Sequence, residues 1–281
     1  MTDDNRLRRP SAVCSLHLGD LKVSYVPDGA MLLKPTGLLP TTAATDWTTH
    51  ATHLNDTHRL VANTGGLLVE HGPRALLIDA GFGPRAVPED PAHPHRGAMH
   101  GGALPGSLAL LGRSPADIET VAFTHLHPDH IGWALADPPL FTRATYLVPK
   151  AEWDTREHTT APLEHRTELV LPGDEIFPGV HALALPGHTA GHTGFVIASR
   201  GTRLLAFGDA LLSPLQVSHP EWSAVVDEDP YQSERHRRRL ITELLEPNTL
   251  GFGIHFADVV FGQVLRDGSS AAWHPIGARA L

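Results

Sequence analysis

The sequence has little of what disulfide-rich, secreted or membrane-spanning proteins require. Its 281 residues include one cysteine, Cys14, which excludes an intramolecular disulfide framework and any cysteine-rich zinc fold. No apolar run approaches the roughly 18 residues that a membrane helix needs. Residues 1–14 contain no apolar stretch that could form the core of a signal peptide. We therefore expect a cytoplasmic protein with no membrane partner.

Basic charge is scarce as well. Lys and Arg total 22 against 31 Asp and Glu, which gives a formal net charge of −9. Nucleic acids and anionic membrane surfaces require clustered Lys and Arg, so neither is an expected partner. The composition of 41% hydrophobic and 19% charged residues is that of a globular chain. We expect residues 1–281 to form a single domain that acts on a small-molecule substrate.

Short strand patterns occur in two blocks, each with helical patterns near its ends. Strands are predicted at residues 16–26, 66–70, 75–79, 121–124, 144–148, 181–185, 195–199, 203–207, 251–256 and 259–265, the last of these closing the chain. Asp229 and Pro230 begin a helix that carries an apolar stripe, and its basic residues 235–239 are expected on a solvated face. This arrangement favours an α/β fold of two packed sheets with helices outside.

One long segment shows no periodicity. Residues 83–106 are rich in Gly, Pro and His, and irregular segments of this length are usually functional lids or disordered. We expect this segment, together with the N-terminal part of the chain around residues 35–60, to cover the active site.

Histidine is unusually abundant, with 20 residues, and the most informative stretch is THLHPDHIGW at residues 124–133. His125 and His127 are two residues apart, so on an extended chain both side chains project to the same side. Asp129 and His130 follow a proline. Four potential ligands in six residues cannot all bind one ion in good geometry. The spacing therefore predicts two adjacent metals, with His125 and His127 on one and Asp129 and His130 on the other.

Further ligands are expected from other strand ends, and three candidates are present. His188 lies in the sequence PGHTAGHT, Asp209 lies in FGDA, and His255 ends GFGIH. Imidazole and carboxylate ligands without thiolate suit zinc, iron, manganese or cobalt, and zinc is favoured by its availability. We therefore expect two Zn²⁺, with Fe, Mn or Co as alternatives.

The order of these motifs resembles the dinuclear metallohydrolases of the metallo-β-lactamase superfamily. The resemblance covers about residues 65–256 and includes LIDAG at 77–81, which is similar to the family's LIDxG strand end. It implies a four-layer αββα sandwich of two mixed sheets with helices outside. It also implies one site of His125, His127 and His188, a second site of Asp129, His130 and His255, and Asp209 as a bridge. A homodimer is a further family-level expectation.

Within the superfamily, the form of the HxHxDH motif looks most like the branch that contains methyl parathion hydrolase and the acyl-homoserine lactone lactonases. Two divalent cations carry a charge of +4, and Asp129 and Asp209 together supply −2, which gives both carboxylates a catalytic role. The net positive site lowers the pKa of a bridging water towards about 7. The expected reaction is attack of a bridging hydroxide on an ester or lactone carbonyl, with a phosphotriester as a less favoured substrate.

Two other hypotheses fit the same residues. The ligands could hold a single iron in a dioxygenase that acts on thiol or persulfide substrates. Alternatively, the chain could be a metal-stabilised binding module without turnover. The metal content of the protein and a panel of substrates distinguish the three.

Several neighbours of the motifs have open roles. His192 is expected to be structural or to hydrogen-bond a ligand, because metal-bound imidazoles need partners that fix their tautomer, and Asp79 is another candidate for that role. Trp133 and Trp153 either line an apolar pocket over the metals or pack in the core.

Overall fold

Two mixed β-sheets face each other in the computed structural model, which describes residues 4–156, 158–268, 270–277 and 279–280. The first sheet comprises β1 (Cys14–Leu18), β2 (Leu21–Leu33), β3 (Leu60–His71), β4 (Arg74–Ile78), β5 (Ala86–Val87), β6 (Arg96–His100), β7 (Thr120–Ala122), β8 (Thr145–Pro149), β9 (Thr167–Val170) and β17 (Arg279–Ala280). The second comprises β10 (Glu175–Phe177), β11 (Val180–Ala184), β12 (Thr193–Ser199), β13 (Thr202–Ala206), β14 (Thr249–Phe252), β15 (Phe261–Asp267) and β16 (Ser270–Pro275).

The helices are mostly short. They are α1 (Pro35–Leu38), α2 (Ala44–Thr49), α3 (Leu104–Leu110), α4 (Pro128–Ile131), α5 (Lys150–Thr155), α6 (Leu215–Ser218) and α7 (Pro230–Leu244), with 3₁₀ turns at Asp4–Arg8, Ala51–His53, Pro115–Asp117, His158–Arg166 and Gly208–Ala210. In the described ranges, no helix combines the length and the apolar character needed to cross a bilayer.

Both faces of the first sheet are buried, which explains the continuous apolar sequence of β4. Side chains alternate along a strand, so Leu76 and Ile78 face the second sheet while Ala75 and Leu77 pack in a separate cluster with α3. The order of strands along this sheet is β17-β1-β2-β3-β4-β7-β8-β9, and β6 also pairs with β2.

The second sheet is covered in the same way. Leu205 of β13 packs in a cluster with Leu240 and Leu244, which lie on the apolar stripe of α7. The Asp229 side chain accepts a hydrogen bond from the Gln232 N–H and so caps this helix at its predicted start. Helices therefore lie outside two packed sheets, which confirms the expected αββα layers.

Parallel pairing brings the carboxyl ends of several strands to one edge of each sheet. β4, β7, β8 and β9 run parallel in the first sheet, and β13 and β14 run parallel in the second. The carboxyl ends of parallel strands meet at the same edge of a sheet, and ligand sites in α/β folds lie at such edges.

Three sequence predictions of local structure are wrong. Residues 16–26 form two strands, because the chain turns at Gly19 with φ +59° and β1 pairs back on β2. Residues 83–106 contain β5, β6 and the start of α3. The strand predicted at residues 259–265 does not close the chain, because β16 pairs with β15 after a turn at Gly268.

A single buried carboxylate explains why residues 83–106 are ordered. Asp28 is fully buried in β2 and accepts hydrogen bonds from the backbone N–H groups of Phe82, Gly83, Gly102 and Leu104. These four N–H groups lie 54 to 76 residues away in the sequence, so no local pattern indicates them. A buried carboxylate with this many donors ties both ends of the segment to the first sheet.

Candidate metal centre

Four strand ends carry all of the predicted ligand residues to one edge. In the first sheet β7 ends at Ala122 and leads into the loop with His125 and His127. In the second sheet β11, β13 and β14 run in the same direction, and the loops that follow them carry the other candidates. The ligands thus come from loops that rigid strands hold in place.

A short helix separates the ligands of the HxHxDH motif into two sets. His127 has an extended backbone, and α4 begins at the next residue, Pro128, whose fixed φ suits a first helical position. This turn places Asp129 and His130 in a different cluster from His125 and His127.

The structure brings the seven predicted side chains together as two groups. In each group the potential ligand atoms lie within 4.8 Å of one another. The first group is His125, His127, His188 and Asp209, and the second is Asp129, His130 and His255. His125, His130, His188, Asp209 and His255 are buried, with at most 5% of their surface exposed.

Asp209 joins the two groups through its two carboxylate oxygens. Oδ2 lies 3.2 Å from His188 Nε2 in the first group. Oδ1 lies 2.9 Å from His255 Nε2 and 3.2 Å from His130 Nε2 in the second. One carboxylate therefore faces both groups, with a different oxygen for each.

The donor atoms of the second group fit a cation better than they fit one another. His130 Nε2, His255 Nε2 and Asp209 Oδ1 are buried and have no hydrogen-bond partner, although they lie close together. Their short separations lack hydrogen-bond geometry. Buried polar atoms are nearly always paired, so three converging unpaired atoms are suited to a bound metal ion.

The first group has the same character. His125 Nε2 lies 2.9 Å from His127 Nδ1, and His188 Nε2 lies 3.1 Å from that same Nδ1. A single ring nitrogen either donates or accepts one hydrogen bond, so it cannot satisfy both neighbours. Three imidazole nitrogens that converge in this way provide the lone pairs that a divalent cation requires.

The far ring nitrogen of His130 is held by a carboxylate. Its Nδ1–H donates to Asp79 Oδ2 over 2.9 Å, which turns Nε2 towards the second group. Asp79 also accepts hydrogen bonds from the N–H and hydroxyl of Thr124. It has φ +63°, a conformation that a non-glycine residue rarely adopts. Asp79 thus hydrogen-bonds one of the potential ligands, as the sequence suggested.

His188 is held by an ion pair that sequence reasoning missed. Its Nδ1–H donates to Asp227 Oδ1 over 3.0 Å, and Asp227 Oδ2 accepts from Arg237 Nη2 over 3.1 Å. Arg237 is fully buried and also donates to the Ala210 carbonyl. The prediction that residues 235–239 form a solvated face is therefore wrong for Arg237. The signal was present, because Arg237 is three residues before Leu240 and lies on the apolar stripe of α7.

Two backbone contacts complete the support of the ligands. His255 Nδ1–H donates to the Asn63 carbonyl over 2.7 Å. His192 is not grouped with the potential ligands; its Nε2 accepts from the Asp209 N–H over 2.9 Å. Burial, reinforced by the charge of His188, lowers the pKa of His192 to about 3, so its ring is neutral and able to accept.

The carboxylates and imidazoles of the site shift one another's pKa values. Burial alone would raise the pKa of Asp209, but the surrounding imidazoles, His255 foremost, hold it well below its usual value. Burial disfavours the charged form of His188, yet Asp209 and Asp227 raise its pKa to about 9. Asp209 is also the main carboxylate that raises the pKa of His130 well above its usual value. Protons and metal ions therefore compete for these nitrogens.

Glu152 links the two loops that supply the first group. This buried carboxylate at the start of α5 accepts from the Leu126 N–H over 3.1 Å through Oε1. Its Oε2 accepts from the Thr189 hydroxyl over 2.7 Å and from the Gly191 N–H over 3.2 Å. No local sequence pattern indicates this role, because the partners lie 26 to 39 residues away.

Replacing Glu152 with glutamine should loosen both loops while preserving the size of the side chain. The amide nitrogen would face an N–H or O–H donor, so at least one of the contacts is lost. We expect metal affinity or turnover to fall by about 10–100-fold, the usual effect of removing a group that supports metal ligands. Competitive metal titration and steady-state kinetics measure this, with Glu164→Gln, at an exposed ion pair with Arg156, as the control. Equal metal affinity and turnover in the two variants would contradict the role.

A cavity of about 410 Å³ lies beside the two groups. His127, Asp129, His188 and Asp209 form part of its wall. The rest is largely apolar and consists of Met31, Leu33, Leu38, Phe82, Val87, Met99, Pro128, Leu212 and Val226, with Arg85, His95 and Arg96 as polar members. Leu38 comes from the segment around residues 35–60, and Arg85 to Met99 come from residues 83–106.

Neither tryptophan near the motif lines this cavity. Trp133 and Trp153 pack against the cluster on the outer face of the first sheet, and Trp133 Nε1–H donates to Asp28 over 2.7 Å. Of the two predicted positions, an apolar pocket over the metals or the core, both tryptophans therefore occupy the core.

Comparisons with known proteins agree with this fold. The sequence model of the Metallo-beta-lactamase superfamily matches residues 66–247. Metallo-beta-lactamase domain-containing protein 1 from Xenopus laevis is 30% identical over 206 residues, which cover 72% of this chain and 79% of that protein. An N-acyl homoserine lactonase from a Bacillus species is 31% identical over 154 residues, or 47% of this chain. The chain spans 56% of that lactonase's length.

A solved structure shares the fold across nearly the whole chain. AidC, described as a dizinc quorum-quenching lactonase in complex with the product N-hexnoyl-L-homoserine, superimposes with a TM-score of 0.83 at 20% sequence identity. The match covers 96% of this chain and 99% of AidC.

Proposed function

The chain belongs to the metallo-β-lactamase superfamily, and from this membership and the site geometry we propose that it is a dinuclear metal-dependent hydrolase of lactone or ester bonds. The observation that carries the proposal is Asp209, which presents one oxygen to each of two groups of potential ligands. A site for a single ion would not require the separate second group of Asp129, His130 and His255.

The residues divide between the two ions as the geometry groups them. His125, His127 and His188 would hold one ion, Asp129, His130 and His255 would hold the other, and Asp209 would bridge them. When bound, two divalent cations supply hydroxide at neutral pH and polarise the carbonyl that it attacks.

The protein's own contribution is orientation, charge and exclusion of water. Asp129 and Asp209 offset part of the cation charge and leave the loaded site net positive, which favours an oxyanion. Contacts to the far ring nitrogens fix the imidazoles in place, so little reorganisation is needed during the reaction. The apolar wall of the cavity seats the non-reacting part of the substrate and displaces water from it.

We propose zinc as the metal, because imidazole and carboxylate donors suit it and its availability favours it over iron, manganese and cobalt. The single thiol does not compete for this role, since Cys14 packs in the core between the sheets, where burial raises its pKa to about 11. The lactonase relative and the structural match to a dizinc lactonase support a lactone as the substrate, with esters and phosphotriesters as neighbouring possibilities.

Purified protein should contain about two divalent metal ions per chain and should hydrolyse lactones or aryl esters in a panel that also includes thioesters, β-lactams and phosphotriesters. Removing the metal with a chelator should abolish activity, and adding zinc back should restore it. Elemental analysis and kcat/KM across the panel test this. Iron at about one per chain with oxygen consumption on a thiol substrate would favour a dioxygenase, and tight metabolite binding without turnover would favour a binding module.

A further inference from the structure

The side chains that line the cavity beside the metal centre are of three chemical kinds. One kind is the potential ligands His127, Asp129, His188 and Asp209. Aliphatic, methionine and phenylalanine side chains make up most of the remaining wall. Two arginines, Arg85 and Arg96, also line the cavity. An apolar cavity with a few polar groups orients its ligand through those groups.

The two arginines differ in whether their guanidinium groups are already engaged. Arg85 donates to the Phe82 carbonyl through Nε over 3.0 Å and to the Pro128 carbonyl through Nη2 over 3.2 Å, and it stacks on the Phe82 ring. Arg85 therefore has a structural role, connecting the segment after β4 to the metal-binding loop.

Arg96 is half-buried, and its guanidinium makes no hydrogen bond or ion pair with any residue in the described part of the chain. It lies opposite Leu33 in the pairing of β6 with β2, and both side chains line the cavity. A guanidinium carries five donors in a planar fork that matches a carboxylate. An arginine that lacks such a partner and lines a largely apolar cavity is available to a ligand.

The preceding residue adds a second unpaired polar group. His95 also lines the cavity, and its Nδ1 is buried without a hydrogen-bond partner among the described residues. Burial lowers the pKa of His95, so the ring is neutral and able to donate a hydrogen bond. Two adjacent residues that line the cavity thus carry polar side-chain groups without a partner among the described residues.

The segment that carries both residues is held firmly. Lys34 Nζ donates to the carbonyls of Asp90, Pro91 and His93 over 3.1, 2.9 and 2.6 Å. The Lys34 N–H donates to the His95 carbonyl over 2.8 Å. Arg96 is therefore presented from a segment that is already ordered, which reduces the entropy lost when it binds a ligand.

We propose that Arg96, assisted by His95, binds a carboxylate of the substrate that is separated from the scissile bond by an apolar spacer. This inference rests on the proposed hydrolase function and adds the substrate class: a lactone or ester at one end, a hydrocarbon segment against the apolar wall, and an anion at the other end. The reacting carbonyl lies at the metal centre and the carboxylate lies at the guanidinium, so the two ends of the substrate are distinguished by charge.

The test compares two acyl lactones of equal chain length, one ending in a methyl group and one in a carboxylate. The measured quantity is the ratio of their kcat/KM values. We expect the Arg96→Gln variant to lower the ratio of carboxylate to methyl substrate by about tenfold or more, the usual effect of losing a hydrogen bond to a charged group. Arg96→Lys, which keeps the charge but not the fork, should lower it less.

Arg266→Gln is the matched control, because Arg266 is exposed on β15 and does not line the cavity. It should keep the wild-type ratio, and circular dichroism should show all variants folded. If wild type and Arg96→Gln both hydrolyse the methyl substrate and show the same ratio of kcat/KM values, the carboxylate subsite is overturned. The hydrolase function would still stand. If metal-loaded wild type hydrolyses neither lactone and none of the aryl esters of the panel, the proposed function is contradicted, and the subsite with it.

Discussion

Replacing Asp209 with alanine is expected to abolish hydrolysis and to lower the metal content of the purified protein. Both of its oxygens face the potential ligands, with Oδ2 3.2 Å from His188 Nε2 and Oδ1 2.9 Å from His255 Nε2. The variant removes one ligand from each ion and a negative charge from between them. We expect kcat/KM to fall by about 1000-fold or more, because metal catalysis supplies several kcal/mol of transition-state stabilisation.

Elemental analysis and steady-state kinetics on the same preparation measure the two effects together. Asp209→Asn retains one oxygen and the size of the side chain, so its metal loss should be smaller than that of alanine while its activity loss remains large. The control is Asp154→Ala, which removes an exposed carboxylate of α5 paired with Lys150. Full turnover by a metal-free Asp209→Ala protein would refute a metal-dependent mechanism.

The largest expected effect on stability comes from Arg237. Replacing it with methionine should lower the free energy of unfolding by about 3–5 kcal/mol, the usual effect of removing one partner of a buried ion pair. Asp227 would lose its arginine partner, and the Ala210 carbonyl would lose its donor. Because Asp227 also orients His188, the variant should bind metal more weakly as well.

Urea unfolding of the metal-free proteins measures the free energy of unfolding without a contribution from metal binding. Arg238→Met is a closely matched control on the same helix, since Arg238 pairs with Glu234 on the exposed face. Exposed pairs contribute about 0–1 kcal/mol, so the control should remain close to wild type. Equal unfolding free energies for the two variants would contradict the buried role of Arg237.

The potential ligands were predictable because each lies in a short motif that follows a strand. The spacing of the HxHxDH motif indicates two sets of ligands, and the structure separates them at Pro128, where α4 begins. His188, Asp209 and His255 follow β11, β13 and β14, three strands that run in the same direction. Local apolar patterns locate these strands, and sheet geometry then brings their ends together.

The groups that support the ligands were less predictable. Asp227, Glu152 and Asn63 reach their histidine-bearing loops from 26 to 192 residues away, and each has an ordinary local sequence. Such contacts depend on how the two sheets pack, which no short pattern specifies. Arg237 is different, because its position on the apolar stripe of α7 was visible in the sequence and indicated burial.

The segment at residues 83–106 was also beyond local prediction. Its strands are only two and five residues long, and Asp28 holds its two ends from another strand. The resulting wall of the cavity carries Arg96, so the part of the chain with the weakest sequence signal is the part that we expect to select the substrate.

The most direct test of the central claim is a crystal structure of zinc-loaded protein with anomalous scattering data collected at the zinc edge. Two peaks are expected, one among His125, His127 and His188 and one among Asp129, His130 and His255, with Asp209 in contact with both. Anomalous peaks elsewhere in the protein, or a single peak that leaves one group without an ion, would contradict a dinuclear centre.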